Sequence, residues 1–316
     1  MKFKKAFGPV MFMAGFALTA AVHAQGVIGG LDWQEPKIVV PGQGVGTPGL
    51  SSILADSVRA GAYSAGTAEV PTIRAQAVQE AAASLGTRAG LARGLSDLDS
   101  ALRKQGAAMD SSYNFSALAL SVPMRAGQPA TYPAPRTGNG EYAMILPPVI
   151  VEGRDSDSFP NDDEMRIAER VYKIHNKARL VPVDKASGRP AVPDWRDYLV
   201  FSFQEVQMPH ASLMPRNDAE KAIWNEWVKK GWQEGLVQAQ QLFDGGWARL
   251  NRDYKGMLNY RLAYSQGLVT RPQVAGVNMG VTGGGTEMRI NDRTVRITDH
   301  SALVPDTTRW SSNNPK

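Results

Sequence analysis

The chain of 316 residues contains no cysteine. This absence excludes disulfides, thiolate metal sites and cysteine nucleophiles, and it leaves no N-terminal cysteine for lipid modification. Histidine is also scarce: beyond residue 24 only His175, His210 and His300 remain, and none has a second histidine at ligand spacing. We therefore expect no zinc site. A serine–histidine hydrolase is disfavoured as well, because the sequence has no G-x-S-x-G motif.

Signatures of nucleotide and calcium binding are weak or missing. Residues 44–49 match G-x-G-x-x-G, but Pro48 stands where a helix would begin to donate amides to a pyrophosphate. No G-x-x-x-x-G-K-[ST] motif occurs, which excludes a P-loop ATPase. The acidic cluster at 155–164 lacks the glycine and closing glutamate of a calcium-binding EF-hand, so a solvated loop and helix start are favoured there. The sequence thus predicts no cofactor and no metal.

The first 24 residues have the order of a secretory signal. Lysines at positions 2, 4 and 5 precede an uncharged, mostly apolar run from Ala6 to Val22, and a Val-x-Ala pattern ends at Ala24. This order predicts cleavage after Ala24 and export across the inner membrane. A membrane anchor would need about 20 apolar residues, and Pro9 and two glycines interrupt this run. We found no later stretch long and apolar enough to span a bilayer.

The charge of the chain does not indicate nucleic-acid binding. The formal net charge is +5, and removing the three signal lysines leaves +2. Binding of nucleic acid would instead require lysine and arginine clustered on one face. We therefore predict no direct contact with nucleic acid.

The pattern along the rest of the chain predicts an α+β fold. Residues 25–71 are rich in glycine and proline and predict a flexible arm. Apolar residues at spacings of three and four predict a helix between Pro71 and Asp110, bent or broken near its glycines. A loop insert is predicted at 122–142 and another loop at 182–193, because both are rich in proline. The helical body should carry a small antiparallel sheet.

Further elements follow from local signals. Residues 144–151 predict an edge strand or extended segment around Pro147-Pro148. Acidic residues at 162–164 and basic residues near 179 predict a helix from Asp162 to Arg179. A capping box at Asn217 opens a stretch of some 50 residues with helical spacing, which is two helices in tandem or one long kinked helix. Residues 288–297 predict a hairpin that turns at 291–293, before a polar C-terminal tail at 301–316.

Five tryptophans lie in one third of the chain: Trp195, Trp224, Trp227, Trp232 and Trp247. Core packing is their ordinary role, since tryptophan supplies large buried area. Anchoring of subunit contacts is the alternative, because aromatic residues are enriched at interfaces. Gly231 and Gly235 share a helical face and would let another backbone approach closely, within the subunit or across an interface.

Seven segments carry the most specific signal in the sequence. The most specific is Leu146-Pro147-Pro148-Val149-Ile150-Val151-Glu152-Gly153-Arg154. The others are 166–173 (RIAERVYK), 195–199 (WRDYL), 219–224 (AEKAIW), 231–232 (GW), 280–283 (GVTG) and 291–298 (NDRTVRIT). From the first to the last they span residues 146–298, which is about half of the chain beyond residue 24. In this order they resemble the DotC/TraI family of type IVB secretion and conjugation systems, and they lie within a DotC-like domain predicted at 72–300.

The resemblance implies a structural subunit of an outer-membrane core complex. Such a subunit would form a ring with copies of itself and with DotD-like and DotH-like partners, in the periplasm at the outer membrane. Family members are typically lipoproteins, whereas this chain has no cysteine, so attachment through partners is expected. The packing or partner-interface candidates are Leu146, Pro147, Pro148, Glu152, Arg154, Trp195, Trp224, Gly231, Trp232 and Gly235.

Two other functions remain open at this point. One is a periplasmic hydrolase, for example one that trims peptidoglycan, with Glu152 or Glu169 as the acid. The other is an adaptor that recruits assembly factors without joining the finished ring. Because no constellation of catalytic residues was found, we expect a protein that is not an enzyme.

Overall fold

The computed structural model describes residues 47–54, 70–123, 142–182, 190–202 and 205–310. The predicted signal peptide, most of the predicted arm, most of the insert at 122–142 and the last six residues lie outside these ranges. The chain divides into two compact units. We call them the helical unit, which includes residues 47–106 and 201–243, and the mixed unit, which includes 107–200 and 244–310. Among the described residues, no helix combines the length and the hydropathy that a membrane span requires.

The helical unit is built on two long helices that run in the same direction. They are α2 (Thr72–Lys104) and the first half of α5 (Asp218–Ser265), with the short α1 (Leu50–Ile53) beside them. Arg74 pairs with Glu220 near the start of both helices, and Gly94 lies against Ala239 farther along both. The core consists of Ile53, Val78, Ala82, Leu85, Ala89, Trp224, Val228 and Trp232. Within the segment predicted as an arm, α1 therefore contributes a buried residue.

The glycines of α2 do not break the helix. The break predicted as one possibility near Gly86, Gly90 and Gly94 is absent, because α2 is continuous from Thr72 to Lys104. A Cβ atom on Gly86 would lie 2.9 Å from the backbone nitrogen of Trp232. These glycines therefore give α5 room to approach, and the packing outweighs the loss of about 1 kcal/mol per glycine in helix propensity.

Helix α5 is one helix of 48 residues, about 72 Å long at 1.5 Å per residue. Neither a second helix nor a break at Gly245-Gly246 occurs. The predicted cap is confirmed: Asn217 Oδ1 accepts a hydrogen bond from Glu220 N at 2.8 Å. At the other end Leu268 N donates to Ala263 O, and Gly267 adopts a φ of +75°. This is a Schellman motif, which favours glycine at that position.

The mixed unit contains a three-stranded antiparallel sheet with the order β1-β2-β5. The strands are β1 (Leu120–Pro123), β2 (Tyr142–Leu146) and β5 (Arg179–Leu180). Short helices α3 (Gly106–Ser112) and α4 (Arg196–Leu199) also belong mainly to this unit. The predicted strand at 144–146 is central and not an edge strand. Pro147 and Pro148 follow its last residue, so they remove no hydrogen bond from the ladder.

Two long two-stranded ribbons complete the mixed unit. The first ribbon pairs β3 (Val149–Asn161) with β4 (Glu164–Asn176), and the second pairs β6 (Gln273–Gly284) with β7 (Glu287–Asp299). The bases of both ribbons contact one hydrophobic cluster, which contains Leu120, Ile145, Ile150, Ala178, Tyr260, Ala263 and Val269. The α+β class with small antiparallel sheets is thus confirmed.

The predicted helix from Asp162 to Arg179 is wrong. Asp162 and Asp163 form the turn of the first ribbon, and β4 follows. The spacing of Ile167, Val171 and Ile174 imitates a helix, yet Val171 and Ile174 pair with Gly153 and Ile150 and so lie on opposite faces of the ribbon. The acidic residues mark a turn and not the first turn of a helix.

The C-terminal hairpin exists, but its predicted turn is wrong. Residues 288–297 all lie in one strand, β7, and the chain turns after Gly284. Asn291 has a φ of +56° and lies at an irregularity in the ladder between β6 and β7. Asparagine tolerates this backbone conformation in a β-bulge as well as in a turn. In the predicted tail, Leu303 forms an isolated bridge with Val269, and Ser301 is buried.

Candidate functional site

The segment that carries the strongest resemblance joins the sheet of the mixed unit to its first ribbon. Leu146, Pro147 and Pro148 are buried. Gly256 of α5 packs against Val149, and Asn259 Nδ2 donates to Ile150 O at 3.2 Å. The two prolines fix the backbone between β2 and β3, and the contacts with α5 hold the base of the ribbon. This segment therefore sets where the first ribbon begins.

Glu152 and Arg154 lie on the same face of the first ribbon. Glu152 faces Tyr172 across the ladder, and its side chain is 7% exposed. Arg154 faces Arg170, whose Nε lies 3.9 Å from Glu152 Oε1. Like charges directly opposite destabilise a sheet, and the nearby carboxylate of Glu152 offsets that repulsion. Both residues thus contribute to an ionic face.

The carboxylates considered for hydrolysis do not form a pair. Glu152 lies on the ionic face, whereas the ladder register places Glu169 on the opposite face of the same ribbon. The side chain of Glu169 is 85% exposed. Two carboxylates on opposite faces of a ribbon are not placed to act together on one bond.

Trp195 holds the chain before α4 through a partly buried hydrogen bond. Its indole Nε1 donates to Asp110 Oδ1 at 2.7 Å, and Arg196 Nη1 donates to the same oxygen at 2.8 Å. Arg196 first, and then Trp195, hold the pKa of Asp110 below its usual range. The carboxylate therefore stays charged and ties α3 to α4.

The other tryptophan and glycine candidates lie in the helical unit, where α5 contacts α2. Trp224 is fully buried, and its Nε1 donates to Ile53 O at 2.9 Å. A Cβ on Gly235 would lie 2.6 Å from Leu91 N, and one on Gly231 would lie 3.0 Å from Thr87 N. Trp232 covers Gly86 and Gly90 with its backbone. The structure brings these four candidates together as packing residues of one helix pair.

An aromatic cluster in the mixed unit was not singled out from the sequence. Tyr254 makes edge contacts with Tyr113 and Phe115 at centroid distances of 5.2 Å, and Phe115 stacks on Tyr198. The Tyr198 hydroxyl donates to Asp253 Oδ2 at 3.2 Å. Burial and then Asp253 raise the pKa of Tyr198 to about 12. The tyrosine is thus a neutral hydrogen-bond donor that fixes the cluster.

A shallow pocket of about 340 Å³ lies beside this cluster and includes Arg179, Asp197 and Tyr198. The raised pKa of Tyr198 means that it does not release a proton at neutral pH. Over the described residues, no group of three or more His, Asp or Glu side chains is placed to hold a metal ion. The pocket offers no clear reacting group.

The ribbons carry the most conspicuous surface of the chain. Ten large apolar side chains on them are between 37% and 73% exposed. They are Val151, Phe159, Met165, Ile167 and Val171 on the first ribbon, and Val277, Met279, Val281, Met288 and Ile290 on the second. Exposed apolar area of this extent is typical of interaction sites.

The register places several of these side chains on common faces. On the first ribbon Ile167 pairs with Asp157 and Val171 pairs with Gly153, so Ile167, Val171 and Val151 share the face opposite to Glu152. On the second ribbon Val281 pairs with Ile290, and Met288 follows on the same face. The alternation of Val277, Met279 and Val281 was the sequence signal that could have revealed this second surface.

A family model matches residues 72–312 of the chain, and the family is described as type IV secretory system, conjugal DNA–protein transfer. The chain belongs to this TraI family. The predicted family is thereby confirmed, and the TraI-family chain is a component of a type IV secretion or conjugation system. The match includes α2, α5 and both ribbons. No curated protein matches the chain.

Proposed function

We propose that this TraI-family chain is a non-enzymatic structural subunit of the outer-membrane core complex of a type IVB secretion or conjugation system. It joins copies of itself and DotD-like and DotH-like partners in the periplasm, and it is held at the outer membrane through those partners. The observation that carries the proposal is the exposed apolar surface of the two ribbons.

The physical argument begins with the stability of the ribbons. A two-stranded hairpin is marginally stable in water without further packing, and only the bases of these ribbons contact the hydrophobic cluster of the mixed unit. Beyond the bases, Ile167 and Ile290 are each about two-thirds exposed or more. Burial of such side chains against a partner contributes roughly 1.5–3 kcal/mol each. The ribbons therefore favour a role in assembly.

The first test is assembly in cells that carry the cognate transfer system. We expect deletion of the gene to abolish transfer, and the wild-type chain to co-purify with the DotH-like and DotD-like proteins from detergent-extracted envelopes. Failure of the chain to associate with either partner, or normal transfer in the deletion strain, would refute the proposal.

A matched pair of variants on one face of the first ribbon sharpens this test. Ile167→Asp puts a charge on the apolar surface, whereas Glu169→Gln changes an exposed polar residue on the same face. We expect Ile167→Asp to lose partner association and transfer, and Glu169→Gln to retain both. Equal retention in the two variants counts against the ribbon as the contact surface.

The same strains distinguish the two rival functions. A transient adaptor would cross-link to assembly intermediates but not to the finished complex. A hydrolase that uses Glu152 or Glu169 would lose transfer on substitution by glutamine while the complex still assembles. A structural subunit is expected to cross-link in the finished complex and to tolerate Glu169→Gln.

A further inference from the structure

Apart from one irregularity near Met279, strand β6 of the second ribbon lacks the features that protect strand edges. Its twelve residues, Gln273–Gly284, include no charged residue and no proline. Proteins usually protect an exposed edge with charges, prolines or a short strand. The first ribbon follows this practice, since β3 contains Pro160 and both of its strands are charged. Among the described residues, β7 is the only strand paired with β6.

The glycines of β6 reduce the bulk of its side chains near the tip of the ribbon. Gly280 has a φ of +72°, which accounts for glycine at that position. Gly284 has no such φ, and a Cβ atom there would meet nothing within 4 Å. Gly284 is the last residue of β6 and adjoins the turn, so glycine there suits the tip of the hairpin. Gly280 and Gly284 also leave this part of the strand without bulky side chains.

The side chains beside this edge are apolar and exposed. Val277, Met279 and Val281 of β6 are all more than half exposed, as are Met288 and Ile290 of β7. One irregularity lies near Met279 and another near Asn291. Each adds one residue to its strand, so the two offset each other and the ladder resumes at Val281. Strand and apolar surface therefore continue toward the tip of the ribbon.

We propose that β6 pairs antiparallel with β6 of a second copy of this chain, and that the two ribbons form a four-stranded sheet with the order β7-β6-β6-β7. Identical strands that pair about a two-fold axis bring identical residues close together. An uncharged strand is complementary to itself in this arrangement, whereas like charges opposite each other are destabilising. A sheet needs at least three strands with an apolar face to be stable independently, and the four-stranded sheet meets this requirement.

The first ribbon does not suit this kind of contact. Its turn and adjoining residues carry Asp157, Asp162, Asp163 and Glu164, all exposed, and the nearest basic residue on β4, Arg166, pairs with Glu164. Two copies meeting there would bring carboxylates together. The inference rests on the proposed function, in which copies of the chain join, and it names the strand through which one pair of copies does so. A two-fold contact links two copies and does not by itself close a ring.

The absence of natural cysteine provides a direct test. Ala275, Val277, Met279 and Val281 are replaced by cysteine one at a time in the purified chain without its signal, and each variant is mildly oxidised. We expect a disulfide-linked dimer from at least one β6 position, with yield falling on either side of it. The matched control is Glu169→Cys, an exposed position on β4, which should remain monomeric on a non-reducing gel.

A second measurement uses sedimentation of the same chain without cysteine. We expect a dimer, and we expect Val281→Arg to raise its dissociation constant at least about tenfold, because the two-fold places two new like charges near each other. Ser158→Arg adds the same charge to the first ribbon and should leave the constant unchanged. Circular dichroism establishes that both variants are folded.

Three outcomes overturn the inference. One is a chain that is monomeric at all concentrations and forms no β6 disulfide. Another is cross-linking of Glu169→Cys as efficient as that of any β6 variant, which would indicate random collision. The third is a monomer that binds vesicles of phosphatidylethanolamine and phosphatidylglycerol through Val281, which would make a lipid surface the partner.

The two proposals fail in distinguishable ways. If the purified chain dimerises through β6 but transfer proceeds without it, the proposed function fails and the contact stands. If transfer requires the chain, and no β6 disulfide forms either in solution or in the extracted complex, only the β6 contact fails.

Discussion

The helix pair of the helical unit and the second ribbon of the mixed unit both combine glycine with apolar residues, but they use them differently. On α5, Gly231 and Gly235 contact the backbone of α2. On β6, a Cβ atom on Gly284 would meet nothing within 4 Å, and Val277 and Val281 of the same strand are exposed. The same residue types thus pack against a neighbour in one region and remain uncovered in the other. The neighbour of Gly235 belongs to the same chain, whereas the neighbour that we propose for β6 is a second copy.

The largest expected effect is on the helix pair. Gly235→Ala places a Cβ 2.6 Å from Leu91 N and against Thr87 O, so a backbone must move. We expect a loss of roughly 3 kcal/mol in the free energy of unfolding, measured by urea denaturation. Gly245→Ala is the matched control in the same helix, since its Cβ would meet nothing within 4 Å. That variant should gain up to about 1 kcal/mol. Similar effects at the two positions would contradict the role assigned to Gly235.

The next largest effect concerns the ion pair that joins the starts of α2 and α5. Glu220 is 4% exposed and accepts hydrogen bonds from Arg74 Nε at 2.9 Å and Arg216 N at 2.9 Å. We expect Glu220→Gln to lower the free energy of unfolding by about 1.5–3 kcal/mol at pH 7. Glu226→Gln is the control, because it removes an exposed ion pair with Lys230. It should change the free energy of unfolding by less than about 0.5 kcal/mol.

The same pair predicts a pH dependence. Arg74 is the main cause that holds the pKa of Glu220 below its usual range. The carboxylate therefore stabilises the fold above its unfolded pKa of about 4.3, and this contribution is lost as the pH falls through the lower folded value. Urea unfolding from pH 7 to pH 3 should show a shallower decline for Glu220→Gln than for the wild type. If the stabilities of the wild type and of Glu220→Gln fall in parallel with pH, the Glu220 carboxylate does not have this role.

A smaller effect is expected in the aromatic cluster. Tyr198→Phe removes the hydrogen bond to Asp253, and we expect a loss of about 1 kcal/mol in stability. Because burial raises the pKa of Tyr198 to about 12, the tyrosine stabilises the fold below its unfolded pKa of about 10, and this is lost as the pH rises through the folded value. Alkaline unfolding between pH 10 and pH 12 should therefore be less steep in the variant. If stability falls equally steeply between pH 10 and pH 12 in the variant and the wild type, groups other than Tyr198 cause the alkaline unfolding.

The smallest expected effect on stability is on the ribbons. Ile167→Thr keeps a β-branched side chain on β4 and removes apolar area from a position that is 73% exposed. We expect a change of less than about 0.5 kcal/mol in the free energy of unfolding, together with reduced recovery of partners in pull-downs. A large loss of stability without loss of partners would show that the ribbon is part of the fold and not of an interface.

The sequence was sufficient for features that depend on strong local signals. The helical spacing after Pro71 and the cap at Asn217 predicted α2 and the start of α5, and the collinear segments predicted the family. It was insufficient for β4, because Ile167, Val171 and Ile174 fit a helix and a two-faced strand equally well. The hairpin turn was misplaced because Asn291 suits a bulge as well as a turn.

The role of the candidate residues also depended on tertiary contacts. Local spacing indicated that Gly231 and Gly235 share a helical face, but not that α2 supplies the neighbouring backbone. The exposure of Ile167 and Ile290 could not be predicted from the sequence for a similar reason. An apolar residue in a strand has the same local pattern whether its face is covered or open. Only the arrangement of the whole chain distinguishes the two cases.

The common direction of α2 and α5 has a consequence for how the protein reaches its native state. Arg74 and Glu220 are 146 residues apart in sequence, so these helices meet only after a large part of the chain has been made. Contacts of such long range slow folding. Until then the small, apolar side of α2 has no matching helix and is open to wrong associations. We therefore expect nascent chains that end before Asp218 to aggregate, and a chaperone that covers α2 to raise the yield.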